Sequence, residues 1–242
     1  MRPLLSSVVL AWLALAPGCR SLPIAPAGVR DALDAKYAGG YFTLKQSMYF
    51  GPFWDAPDLV LLDARPFHSL SYLVVGSRPV PPGTEHGIIP AGTRVRVEKV
   101  DLPSLGSMAG RPNLSPRYNG WLRVRVNRFD TSAPGFRDGL HVLVLPLGLT
   151  DLGALEGAIQ QLLGDDDAFK AWLDGRTPEM RAAIAEKRPR VGMLYEELVA
   201  ALGPPDAMVS DVVPEGRREV AEFPRYQVTL VESLVRAVET RP

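Results

Sequence analysis

The sequence predicts an α+β protein, in which an N-terminal small antiparallel β-barrel-like domain is followed by helices and then by a C-terminal two-helix plus three-stranded antiparallel sheet domain. Three observations lead there. Glycine (22) and proline (23) are abundant and lie mostly before residue 150, so turns are frequent and strands short in that half. Apolar and polar residues alternate with period two over residues 93–100 and 121–129, which is the pattern of strands with one buried face. After Thr150 the composition shifts to helix formers with apolar residues at three- and four-residue spacing. The implied divisions are 1–18, an export signal; 19–37, a tether; 38–150, the all-β domain; 151–176, a helical connector; and 177–242, the C-terminal domain. Lysine plus arginine (27) balance aspartate plus glutamate (27), so no net field draws the chain to nucleic acid.

The chain opens with Arg2, runs through the apolar stretch LLSSVVLAWLALA at residues 4–16, and breaks at Pro17 and Gly18. A positive start, a short apolar run and a small-residue end form an export signal, too short to remain as a membrane-spanning helix. Cys19 is the single cysteine, which excludes an internal disulfide and a multi-cysteine metal site. The string Leu15-Ala16-Pro17-Gly18-Cys19 resembles the lipobox of bacterial lipoproteins. That resemblance implies lipidation of Cys19 by palmitate-type acyl chains and a durable anchor, because several chains hold where one does not. It departs from the usual pattern at Ala16, where leucine is common, and at Pro17. Arg20, rather than aspartate, follows the cysteine, which in this class points to the outer membrane, facing the periplasm. Ordinary cleavage to a secreted, unlipidated protein is the competing reading.

Residues 20–28, RSLPIAPAG, are proline-rich and aperiodic and read as an unfolded spacer. From 41 to 149, six short runs (YFTLKQSMYF, LVLLDA, LSYLVV, TRVRVEKV, WLRVRVNRF and HVLVLPLGL) are separated by turn sequences such as Pro82-Gly83 and Asn119-Gly120. The order of IIPAGTRVRVEKV and NGWLRVRV is similar to the bacterial Src-homology-3-like barrel and implies that fold here. Alternation places Arg94, Arg96, Arg123 and Arg125 on the solvent face, a candidate surface for an anionic partner. Tyr49, Phe53 and Trp54 lie in an aromatic-rich stretch that is either packing or a ligand groove.

Further on, an amphipathic helix is expected over 151–163 and another after the acidic run Asp165 to Asp167. Thr177-Pro178-Glu179 has the cap, the first-turn proline and the acid that start a third. Leu194, Leu198 and Leu202 recur every four residues, and Gly203 with Pro204 ends that helix. Three apolar runs, REVAEF, QVTLVE and LVRAVE, then read as an antiparallel meander. Gly192, Met193, Leu198, Leu202, Gly203 and Pro205, led by Val191, resemble the signature of the SmpA/BamE-like outer-membrane lipoprotein domain over about 177–240. The resemblance implies two helices on a three-stranded sheet and a part in outer-membrane assembly or maintenance. The chain departs from it at Leu194, where a capping hydroxyl is usual, at Phe223, which stands without a second aromatic, and at Ser233, where glycine is usual.

Catalysis has no visible carrier. His68, His86 and His141 are far apart and lack metal-ligand spacing. Ser69 and Ser71 lack the elbow that exposes a nucleophile, and the acidic run lacks the glycine and distal glutamate of a calcium loop. No cofactor, metal or nucleic-acid site is expected. The reading is a non-enzymatic, lipid-anchored envelope protein that binds or scaffolds an envelope protein or a cell-wall component. The alternative is an envelope hydrolase whose site is assembled from distant residues.

Overall fold

The computed structural model describes residues 24–126, 136 and 139–241. Cys19 and the end of the predicted strand at 127–129 lie outside them.

Helix α1 (Ala27–Tyr37) opens the described chain and buries Leu33 and Tyr37. Then come β1 (Tyr41–Leu44), β2 (Met48–Pro52), β3 (Leu59–Asp63), β4 (Val74–Val75), β5 (Arg78–Pro79), β6 (Gly87–Ile89) and β7 (Arg94–Asp101). After them follow α2 (Leu105–Ala109), β8 (Trp121–Val126) and β9 (Leu140–Val144). The second half holds α3 (Leu152–Leu162), β10 (Leu163–Gly164), α4 (Asp166–Asp174), α5 (Pro178–Ala185), α6 (Tyr195–Leu202) and β11 (Ala207–Val213). It ends on β12 (Gly216–Glu222), β13 (Tyr226–Val231) and β14 (Leu234–Thr240).

Eight strands form one sheet in the order β10-β1-β7-β8-β9-β3-β2-β6. Strands β1 and β2 are one stretch of chain bent at residues 45–47, and β6 and β7 are another bent at 90–93. Because β1 pairs with β7 while β2 pairs with β6, the two bends fold together and curl the sheet. The alternation in β7 works as its sequence suggests: Val95 and Val97 are buried, while Arg94 and Arg96 are exposed. Strands β3 and β9 run parallel and are buried on both faces, as parallel strands are. Leu62 and Leu143 join the interior cluster that α1 and α3 close with Leu33, Leu155 and Ile159. Leu61, Val142 and Val144 pack outward under Phe53, Phe67 and Trp121.

The second sheet is a four-stranded antiparallel meander, β11-β12-β13-β14. Helices α5 and α6 cover it through Ile184, Leu198 and Ala201 against Ala221, Val228 and Leu230. Helix α5 is capped by Thr177, whose hydroxyl accepts from Met180 N at 3.2 Å, and carries Pro178 in its first turn. Helix α6 stops at Gly203, whose φ of +85° suits glycine.

The predicted architecture is corrected on three counts. The first sheet is not a small antiparallel barrel that ends by residue 150, because it contains a parallel pair and takes β10 from the helical segment beyond. A helix, α1, occupies residues assigned to the tether, where Leu33 and Tyr37 supply the apolar stripe that holds it to the sheet. The C-terminal sheet has four strands, not three. No helix among the described residues is long and apolar enough to cross a membrane.

Candidate ligand-binding site

The two sheets are joined through Ser47, in the bend between β1 and β2. Its N–H donates to Ala200 O (2.8 Å) and its hydroxyl to Ile184 O (2.7 Å), while the hydroxyl oxygen accepts from Ala91 N (2.9 Å). Its carbonyl accepts from Lys187 Nζ at 2.6 Å, and the same ammonium group reaches Ala201 O at 2.8 Å. Lys187 follows α5 in a left-handed conformation, φ +56°, which turns its side chain back into the junction. It is buried, and burial lowers its pKa to about 7; Asp63 opposes that shift, and the Arg225 cation adds to it. Its ammonium also lies over the Tyr49 ring, 5.0 Å from the centroid.

Beside this junction lie two adjoining cavities that share Gln46, Gln161 and Pro204. The first, about 330 Å³, is walled by Met48, Leu62 and Leu143 and holds Asp63, Arg65 and Tyr72. Asp63 is almost wholly enclosed. Its carboxylate accepts from Arg65 N (2.8 Å), Arg65 Nε (3.4 Å) and Tyr72 OH (2.7 Å). The Arg65 guanidinium lies 5.1 Å from the Tyr72 ring centre, and burial beside the Asp63 charge pushes the phenol pKa upward. The second cavity, about 510 Å³, is lined by Phe169, Trp172, Tyr195 and Val199, with Lys45 and Glu196 among its polar groups. Phe169 stacks on Trp172 at 5.1 Å, and Glu196 accepts from Trp172 Nε1 (3.1 Å) and from Arg176 (3.2 Å). Gln46 Nε2 donates to Gln161 O at 3.1 Å, and Lys45 Nζ to Gln160 O at 3.0 Å, so the shared wall is held in place. The pair has the character of a small-molecule or peptide seat: mostly apolar walls, with a few polar groups fixed by their own partners.

Pro205 lines the first cavity, and the other sequence-predicted residues are scattered around this seat rather than in it. Arg94, Arg96 and Arg125 do share the outer face of β7 and β8, with Arg96 opposite Arg125. Glu98 stands between these two, 3.6 Å from Arg96 and 3.1 Å from Arg125, and Arg94 lies over Tyr41 at 4.5 Å. Arg123 pairs with the buried Asp101 at 2.7 Å. Much of the arginine charge is thus met within the sheet. Phe53 is core, packed edge-on against Trp121 at 4.9 Å. Trp54, at φ +38°, donates its indole N–H to Val80 O. Tyr49 stands at the junction under Lys187 and Arg225, where burial raises its pKa. Gly192 turns at φ +92°, Met193 and Leu198 are fully buried, Leu202 is core, and Gly203 and Pro205 border the junction and the first cavity. The three histidines do not converge: among the described residues no group of histidine, cysteine and acidic side chains could hold a metal ion. His141 is buried and stacks on Phe136 at 5.4 Å. Asp165 caps α4, accepting from Asp167 N and Ala168 N.

Sequence reasoning did not find the Asp63–Arg65–Tyr72 set or Lys187. The first had a trace, since an acid ends the apolar run LVLLD. The second had none, because Lys187 sits in the run EKRPR, which reads as a solvated charge cluster. Comparison with protein-family models, with curated proteins and with solved structures returns no match to the chain.

Proposed function

We propose that the chain is an exported protein, anchored through Cys19 at the outer membrane, that binds an envelope component in the paired cavities between its two sheets. The observation that carries the binding reading is the seat itself: adjoining cavities of about 330 and 510 Å³ with a shared, hydrogen-bonded wall. Two features favour binding over catalysis. The residues lining both cavities include no serine, threonine, cysteine or histidine, and the one enclosed carboxylate, Asp63, is already engaged by three donor groups. An engaged carboxylate orients neighbours and fixes a wall more readily than it abstracts a proton. The export signal and the cysteine that closes it support the location.

The test is site-specific photo-crosslinking in living cells, with a benzophenone side chain at Val199 in the second cavity and, as a control, at Arg125 on the arginine face. A single dominant adduct at Val199, absent at Arg125 and lost when Ala200→Trp fills the cavity, is the expected result. Adducts at Arg125 but none at Val199 would move the binding surface to the arginine face and end the cavity reading.

A further inference from the structure

Strand β11 lies at the end of the four-stranded sheet, and Asp211 is the one protecting charge it carries. It has no lysine, no proline and no bulge, and it pairs with β12 in regular register over seven residues. Six of its seven residues are exposed, including Val209 at 65% and Val212 at 88%. Helices α5 and α6 cover the inner face of the sheet through Ala221, Val228 and Leu230. On β11 that face continues as Met208, Ser210 and Val212, since Met208 stands opposite Ala221 and Val212 opposite Arg217.

The free hydrogen-bonding positions of β11 follow from the ladder. Arg217 O accepts from Glu232 N, and Arg217 N donates to the Glu232 carboxylate, both on the β13 side, so Arg218 turns its backbone toward β11. Asp206 N donates to Glu222 O, which has the same parity. Asp211 opposes Arg218 and bonds inward with Val209. Met208, Ser210 and Val212 therefore turn their N–H and C=O groups outward, and these are also the residues on the helix-side face.

We propose that β11 docks against β11 of a second copy of this chain, antiparallel and centred on Ser210. That register places Met208 opposite Val212, Ser210 opposite Ser210, and Val212 opposite Met208, so every outward N–H and C=O of one copy meets its complement in the other. It joins the two meanders into one eight-stranded sheet and sets the apolar Met208 and Val212 side chains against each other on one face. The charge pattern suits a like copy. The single charged residue of β11, Asp211, is held by Arg218, whose Nε donates to it at 3.0 Å. In this register it faces Val209 of the other copy, so no like charges oppose. One short strand pair buries little area, which places the dimer in the weak class, so its association is followed over roughly 1 µM to 1 mM.

Sedimentation equilibrium of the mature chain, extracted from membranes into a density-matched detergent, tests this, alone and as two variants. Ser210→Pro removes an outward donor without touching the β12 ladder; Val212→Lys places a charge on the edge. The wild-type mass should climb toward the dimer over that concentration range, while both variants remain monomeric with unchanged circular dichroism and melting temperature. A wild type monomeric throughout, or a dimer that persists in both variants, overturns the proposal. So does a β11 that crosslinks only to a different protein.

Discussion

Replacing Lys187 with methionine should flatten the pH dependence of stability, because the junction holds an amine where burial has displaced its proton affinity. In the folded chain the Lys187 pKa is about 7, against 10.5 for the free side chain. Between these values the unfolded chain carries the proton and the folded chain does not, so wild-type stability rises with pH across that window. The cost of burying the amine is complete below pH 7 and gone above 10.5. At 1.36 kcal/mol per decade the full span is about 5 kcal/mol, of which about 3 kcal/mol falls between pH 6 and pH 9. Lys187→Met keeps the packing volume but leaves Ser47 O and Ala201 O without their donor, a loss of about 1–3 kcal/mol for each at any pH. Urea unfolding of both proteins at pH 6 and pH 9 isolates the amine, because every other charged group is common to both. The wild type should gain about 3 kcal/mol relative to the variant on going to pH 9, which is a shift of about 1–2 M in relative midpoint at a typical slope. A stability difference that stays constant within about 0.5 kcal/mol would refute the displaced proton affinity of Lys187.

Three further outcomes are expected. Gly203→Ala should cost more than about 2 kcal/mol in thermal or urea unfolding, because the added Cβ would stand 2.7 Å from Ala64 Cβ at a residue with φ +85°; an unchanged midpoint would mean that the junction gives freely. Ser233→Gly should stabilise by about 1 kcal/mol, since Glu232 and Ser233 both hold positive φ, 50° and 61°, in the turn joining β13 to β14. A lower melting temperature would show that the serine earns its place some other way. Cys19→Ala should abolish the acyl mass of the membrane-extracted chain and release it from the membrane fraction; equal masses and equal fractionation for both forms would make the protein a secreted one.

The sequence announced those elements whose burial is local. The alternation of valine and arginine in β7 and β8 and the four-residue leucine spacing of α6 are one-sided patterns that a single element writes for itself. Strand β11 escaped because it is exposed on both faces, so AMVSDVV has no reason to alternate. The parallel pairing of β3 with β9 joins residues about eighty apart, and nothing in either run names the other. Their continuous apolar character, LVLLD and LHVLV, was nonetheless the signature of strands buried on both faces. Helix α1 was hidden by the prolines before it, which drew the tether too far along the chain. The cavities were illegible for a different reason: their walls come from β2, β3, β9, α3, α4 and α6, and only the fold brings these together.

Strand β10 is two residues long, yet it pairs Leu163 and Gly164 with Leu44 and Thr43 at the far border of the first sheet. The boundary near residue 150, so plain in composition, is therefore not a seam at which the molecule divides. A recombination event there would strip a strand from the first sheet and the helix α3 from its interior. It would also leave Ser47 facing no partner across the junction. Neither half therefore carries a complete first sheet or a complete junction of its own.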